Sequence, residues 1–434
     1  MKLGILHLTD IHFTEKTDLN IKMDSFCKTI INEMQGISKL YIVLSGDIAF
    51  SGKKEEYEKT AKFLSITKTM LKNELKSIEI KYIIVPGNHD CNFALDSQIR
   101  KNSVSKIDYT TIGEDNSVID ICLGVQKDFW DFYEKYNPLP TNKLFYTISE
   151  QIEDKYMNFC CINTAWVSQL NEVAGSLFFP VTKFQNINTQ KGHINFGVWH
   201  HPYNWFNPNT IENNKSEFEK FTERISSTHF FGHEHEQSNY VHINRNEDRK
   251  TNLLSGDVFN EDRKNKSGFQ ILKFDINSEN GTLNKYCWKN TSYINEKNTE
   301  IELYKEFNES LKINNDFLKS IQEVKIPILL DNKKDLKLSD IFIFPDLEST
   351  SREINTFDGY SSSQKLIDKE YSNCILEGDS QVGKTSLLYA LYLKLHDNSI
   401  CPLLIKGKEI KDLKEVSELN IEKLIKKIIL GYTE

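Results

Sequence analysis

Five short apolar runs each end in a loop of Asp, His or Asn: "GILHLTDIH", "LYIVLSGD", "YIIVPGNHD", "NFGVWHHP" and "THFFGHEH". Runs this short and continuous read as strands buried on both faces, and a chain of such strands separated by helical spacing must fold as a layered α/β domain. Helical spacing falls between the first three, at residues 19–36 and 53–76. Further strands are expected at "KLFYTISE" and "YMNFCCINTA". Three more, at "TNLLSGDVF", "SGFQILKFDI" and "TLNKYCWKNTSYI", read as antiparallel, with "NSENG" as a hairpin turn. The domain is expected to occupy residues 1–295.

The loops carry Asp10 and His12, then Asp47, then Asn88, His89 and Asp90, then His200 and His201, then His233 and His235, so that six of the 11 histidines fall there. Taken singly, each has a structural use as a cap or turn residue. Taken together they sit where the carboxyl ends of neighbouring strands open onto one crevice. On extended backbone His233 and His235 point to the same side, so both rings can reach one object. Mixed Asp, His and Asn donors suit Mn²⁺, Fe²⁺ or Zn²⁺ better than Ca²⁺. Seven donors are too many for one ion, whereas two ions about 3.5–4 Å apart sharing a carboxylate use them all, as in phosphoester chemistry.

The blocks DxH, GD, GNHD, a lone His and GHxH, in that order over residues 10–235, resemble the calcineurin-like metallophosphoesterase superfamily. The resemblance implies a four-layer αββα sandwich with two metal ions at the strand ends. It assigns Asp10, His12 and His235 to one ion, Asn88, His200 and His233 to the other, and Asp47 to both. In "WHHP" the first histidine matches the pattern best, with His201 as the alternative. Two such ions lower the pKa of a shared water, so hydroxide can attack phosphorus at neutral pH. His89 then protonates the leaving oxygen as general acid, with Asp90 orienting its imidazole. Glu234 is left as a spacer or an acceptor behind the site.

Residues 299–322 have the spacing of a charged amphipathic helix, and 296–370 read as a helical or irregular connector with a small strand pair. At "GDSQVGKTS" the spacing Gly378, Gly383, Lys384, Thr385, Ser386 spells a P-loop between the expected strand "NCILE" and the expected helix "SLLYALYLKLHD". Its backbone N–H groups would cradle phosphate, with Lys384 on the β/γ-phosphates and Thr385 on Mg²⁺ of a bound ATP. No later apolar run ends in the acidic residue that would complete the Mg²⁺ shell. Residues 371–434 are therefore expected to be the start of a longer P-loop domain. The order of modules resembles bacterial STAND-type signalling NTPases, which hold an N-terminal effector inactive until a C-terminal sensor finds its ligand, many of them in anti-phage defence.

A net charge of −8 gives no global field to gather nucleic acid. No apolar stretch approaches the roughly 20 residues of a membrane span, and the 8 cysteines form no CxxC pair. A cytoplasmic protein with reduced thiols is expected. The expected activity is dinuclear metal phosphodiester hydrolysis, foremost as the nuclease effector of a STAND-type NTPase. The alternatives are a nucleotide or cyclic-nucleotide phosphodiesterase, and a nucleotide-gated switch with a structural metal domain. Expected partners are a nucleic acid or nucleotide substrate, a trigger ligand sensed further C-terminally, and other copies of the chain through the connector or the P-loop region.

Overall fold

Strands β1 (Lys2–Leu8), β2 (Lys39–Ser45) and β3 (Glu79–Val85) pair in parallel, and β2 is buried at every position. Parallel neighbours need long crossovers. Helices α1 (Asn20–Glu33) and α2 (Lys54–Glu74) supply them, and their apolar sides cover one face of the sheet, where the Phe26 ring lies 5.4 Å from Phe63 and 5.1 Å from Phe269. This is a computed structural model of the chain. It describes residues 1–303 apart from 19, 109–111, 113–115, 154, 185–193, 210–212, 236–237, 245–248, 262–265 and 279, and beyond them 315–323, 337–348, 360–363, 366, 375–397 and 402–405.

The helices α3 (Gln98–Val104), α4 (Ser117–Leu123) and α5 (Lys127–Tyr133) precede a second group of strands, β4 (Phe145–Ile152), β5 (Lys155–Ile162), β6 (Ile194–Val198), β7 (Thr228–Phe231), β8 (Asn239–Asn244) and β9 (Arg249–Ser255). Helix α6 (Asn214–Ile225) lies between β6 and β7 in the chain. Strands β10 (Gly268–Asp275), β11 (Asn280–Lys289) and β12 (Ser292–Glu302) complete the first sheet. The two six-stranded sheets run β12-β11-β10-β1-β2-β3 and β4-β5-β6-β7-β9-β8. In the second, β5, β6, β7 and β9 are parallel, with β4 and β8 antiparallel at its edges.

The sheets stack face to face through Tyr41 on Phe159 at 5.1 Å and Phe196 on Phe274 at 5.8 Å. Adjacent strand residues point to opposite faces. Cys161 accordingly joins the core between the sheets, while Cys160 joins a second core under α4 and α6. Helices, sheet, sheet and helices thus lie in that order, and no disulfide joins two of the six described cysteines.

The strand at 249–255, expected to be antiparallel, is β9, which runs parallel to β7 and antiparallel only to β8. The "TLNKYCWKNTSYI" segment is a hairpin of two strands rather than one, turning at Asn290 with φ 56°. Residues 299–302, expected to be helical, belong to β12, whose ladder with β11 supplies their hydrogen bonds. The compact unit consequently runs Met1–Glu306 rather than ending at 295.

The second unit is Phe307–Glu434. Its described parts are the helices α7 (Asn315–Gln322), α8 (Leu338–Ile341) and α9 (Lys384–Asp397), and the antiparallel pair β13 (Asp346–Glu348) and β14 (Tyr360–Ser362). Of the strand expected at "NCILE", residues 373–374 lie outside the described residues, and 375–377 form no strand. The segment "IPILL" and most of the chain after α9 also lie outside them. No helix among the described residues is long and apolar enough to cross a membrane.

Candidate metal centre

The loops after β1, β2, β3, β6 and β7 meet at one end of the sandwich. Of the nine non-glycine residues with positive φ among the described ones, five are ligand candidates: Asp10 (50°), His12 (49°), Asp47 (53°), His233 (78°) and His235 (55°). Left-handed backbone disfavours most L-residues, and such strain gathers at functional sites. Here it turns each side chain back towards the crevice. Room is kept by glycine. A Cβ on Gly232 would come within 1.9 Å of Thr9 Oγ1 and 2.5 Å of Asp10 Oδ2, and one on Gly46 would come within 2.5 Å of the His200 ring.

Two groups of donors result. In the first, Asp10 Oδ1 lies 3.2 Å from His235 Nε2 and 3.7 Å from His12 Nε2, and the two imidazole nitrogens are 3.1 Å apart. In the second, Asn88 Oδ1 lies 3.2 Å from His200 Nε2 and 3.0 Å from His233 Nδ1. Between them stands Asp47 Oδ2, 3.2 Å from His200 Nε2 and 3.8 Å from His12 Nε2.

Each aspartate divides its oxygens. Asp10 Oδ2 accepts from Thr9 Oγ1 at 2.9 Å and from the His233 backbone N–H at 3.1 Å, while Oδ1 is buried without a hydrogen-bond partner. Asp47 Oδ1 accepts the His89 backbone N–H at 2.8 Å, leaving Oδ2 to the cluster. His200 places Nδ1 2.9 Å from the carbonyl of Ser45. Donation there fixes the tautomer and turns the Nε2 lone pair inward. A buried carboxylate oxygen without a partner, amid inward-facing imidazoles, is costly unless a cation completes it. The donor set therefore fits two divalent ions sharing Asp47.

Electrostatics point the same way. Burial pushes Asp10 up, but the His235 imidazole close to its Oδ1 and the charge of His200 outweigh it and hold the carboxyl low. Burial likewise works against the charge on Asp47, and the charges of His200 and His89 overcome it. At His200 burial lowers the pKa, yet the Asp47 carboxylate carries it up to about 9. Burial drives His12 down to about 4 and His233 to about 2, keeping both neutral as ligands must be.

His201 is close, its ring 4.5 Å from that of His233. Both its nitrogens are engaged, however, Nδ1 with Thr164 Oγ1 at 2.9 Å and Nε2 with Glu172 Oε2 at 3.1 Å, so the geometry favours His200 as the donor. His89 directs Nδ1 at the Phe50 carbonyl, 2.6 Å away, and its ring sits 4.5 Å from that of His12.

Asp90 does not orient that ring. Its fully buried carboxylate accepts from the backbone N–H groups of Ile48 at 3.1 Å, Ala49 at 3.0 Å and Gly87 at 2.9 Å, and from the Tyr57 hydroxyl at 2.9 Å. It ties the loops after β2 and β3 together. Glu234 accepts from Asn204 Nδ2 at 2.8 Å and Trp205 Nε1 at 3.3 Å, fixing an indole whose ring lies 4.1 Å from His233. Sequence reading missed Thr9, whose hydroxyl holds the neighbouring Asp10, and Thr164, Glu172, Tyr57 and Trp205, each of which acts through a contact distant in the chain.

A family model described as calcineurin-like phosphoesterase matches residues 3–237, a span that contains every donor named above. The chain belongs to the calcineurin-like phosphoesterase family. The chain is 24% identical over 310 residues to the uncharacterized metallophosphoesterase-like protein YydB of Bacillus subtilis, covering 68% of the chain and 61% of that protein. It is 25% identical over 111 residues to the 3′,5′-cyclic-nucleotide phosphodiesterase alr5338 of Nostoc, covering 24% of the chain and 38% of that protein. The chain thus spans less than two thirds of the length of either relative. Among solved structures, it is similar to GAP50 of Plasmodium, at 13% identity and a TM-score of 0.37 over 70% of the chain and 90% of that structure. It is also similar to Vps29 of Chaetomium thermophilum, at 11% identity and 0.29 over 70% and 98%.

Proposed function

We propose that the phosphoesterase domain hydrolyses phosphodiester bonds in nucleic acid, as the effector of a longer STAND-type protein gated through its P-loop. The observation that carries the hydrolytic reading is the convergence of Asp10, His12, Asp47, Asn88, His200, His233 and His235, with one oxygen of each aspartate left to the cluster. Two divalent ions held there, Mn²⁺ foremost and Fe²⁺ or Zn²⁺ otherwise, make a strong oxygen nucleophile available at neutral pH and offset charge on the phosphoryl group.

The chain's own residues do the rest. Asp47 holds the two groups of donors in register, and its Oδ1 anchors the backbone of His89. Donation of Nδ1–H to the Phe50 carbonyl leaves Nε2 of His89 to carry the proton that the departing oxygen needs. Phe50 is 51% exposed beside His89, and Trp205 stands beside His233. Aromatic faces on both sides of the cluster support a nucleotide substrate, since base stacking contributes about 1–3 kcal/mol per base.

In the second unit, the P-loop turns through Gln381 (φ 66°) and Gly383 (φ 91°) into α9, and Lys384 Nζ donates to the Gly378 and Asp379 carbonyls at 2.6 and 2.7 Å. Phosphate oxygens would replace those carbonyls, which supports ATP binding by Gly378, Gly383, Lys384, Thr385 and Ser386. The cyclic-nucleotide reading draws on the Nostoc relative.

The test is Mn²⁺-dependent turnover of plasmid and single-stranded DNA beside 2′,3′- and 3′,5′-cyclic nucleotides, with Asp47→Ala and His89→Ala variants. DNA loss that needs both residues supports the nuclease. Hydrolysis confined to the cyclic nucleotides selects the second reading, and turnover unchanged in both variants overturns the hydrolytic assignment altogether.

A further inference from the structure

A second cluster of metal-type donors stands on elements that take no part in the dinuclear centre. Glu219 and Glu223 lie four residues apart on α6, so one face of the helix presents both carboxylates. His242 reaches them from β8, the edge strand of the second sheet. One donor atom from each of the three lies within 4.8 Å of the others. His242 Nδ1 is 2.5 Å from Glu223 Oε1 and 4.0 Å from Glu219 Oε1.

The geometry is not that of a simple ion pair. The Glu223 side chain is only 4% exposed, yet its buried Oε1 makes no hydrogen bond despite the close approach of His242 Nδ1. An ion pair of this kind gains its strength from an N–H aimed at the oxygen. Two donors converging on a common ion instead aim past one another. Like charges at this helical spacing repel, and among the described residues the only ion-pair partner of either glutamate is His242. Burial also pushes Glu219 up, with the charges of His242 and Lys215 acting against it. His242 and Glu219 keep 40% and 32% of their side chains exposed, which leaves an entry path from solvent.

We propose that Glu219, Glu223 and His242 form a separate divalent-metal site of the zinc type, binding β8 to α6. Two carboxylate oxygens and one imidazole suit a borderline ion such as Zn²⁺, with water in the remaining position. The site draws on α6, which precedes β7, and on β8, which follows the loop bearing His233 and His235. A bound ion would tie the strand that follows that loop to the helix that precedes β7.

The test counts Zn²⁺ per chain by elemental analysis of the full-length protein after equilibration and removal of excess metal, for wild type, His242→Ala and Glu219→Gln. Both variants change partly exposed side chains. Glu223→Gln is left aside because a buried change there could disturb folding. The expected result is one ion fewer per chain in each variant, together with loss of part of the Zn²⁺-induced rise in melting temperature. An unchanged count and an unchanged thermal shift in both variants overturn the proposal. The difference of one is read whether or not the dinuclear centre fills or turns over, so the outcome is independent of the hydrolytic assignment.

Discussion

His89 and Asp90 are neighbours with separable work. On the proposed assignment, removing His89 takes away a proton donor and no ligand, so His89→Ala is expected to lower kcat by about 10²- to 10⁴-fold with metal content unchanged. The loss should be largest for substrates with poor leaving groups, as comparison of alkyl with nitrophenyl esters would show. Asp90→Ala instead strands three buried backbone N–H groups and leaves the Tyr57 hydroxyl only its bond to the residue-90 carbonyl at 3.3 Å. At about 1–3 kcal/mol for each unsatisfied buried group, a large fall in denaturant midpoint is expected. The pH profile of the remaining activity should keep its shape, because His89 is oriented by the Phe50 carbonyl. The seven candidate donors lie in blocks whose spacing is local, and the fold brings their side chains together. The use of Asp90 was not legible in the sequence, because its partners Ile48, Ala49 and Tyr57 lie more than thirty residues away in the chain. The backbone and the chemistry also agree, since Asp and His are among the L-residues that best tolerate the left-handed region.

Among the elements, α2 shows how a helix start serves the crevice. Glu56 accepts from Ser51 N at 2.8 Å, Ser51 Oγ at 2.8 Å and Lys53 N at 3.1 Å, closing the turn that leads from Asp47 and Phe50 into the helix. Glu56→Ala is expected to destabilise the domain by about 1–2 kcal/mol, measurable by urea titration. Gly232 belongs to the same scale, because the loop leaving β7 must pass against Thr9 and Asp10. Gly232→Ala would displace Asp10 and is expected to weaken metal binding by about 10- to 100-fold, to be read by chelator competition. Parallel strands and their crossover helices were readable as buried runs and helical spacing. Strand β12 was not: 299–302 carry a spacing that also fits a helix, and only pairing with β11, ten residues or more away along the hairpin, decides for strand. The reversal of order between β8 and β9 is likewise a property of pairing.

For the whole domain, proton and metal compete for one place. His200 is held up to about 9 by Asp47 in the metal-free protein, so this pair stabilises the fold fully below the ordinary histidine range and stops doing so as pH rises through about 9. A bound ion must displace that proton. Apparent metal affinity is therefore expected to climb with pH, by about tenfold per unit for a single displaced proton, until it levels near 9, with proton release measurable by calorimetry in buffers of different ionisation heat. The donors also come from both sheets. Asp10, His12, Asp47 and Asn88 follow strands of the first, and His200, His233 and His235 follow strands of the second. Ions held by these donors would thus act as rivets through the seam of the sandwich. Chelation should speed hydrogen exchange of β1, β2, β6 and β7 together, where loss of a merely superficial ion would leave them protected. A chain starved of metal would then be open to proteases as well as idle, so that the cell's metal supply would set how long the protein lasts.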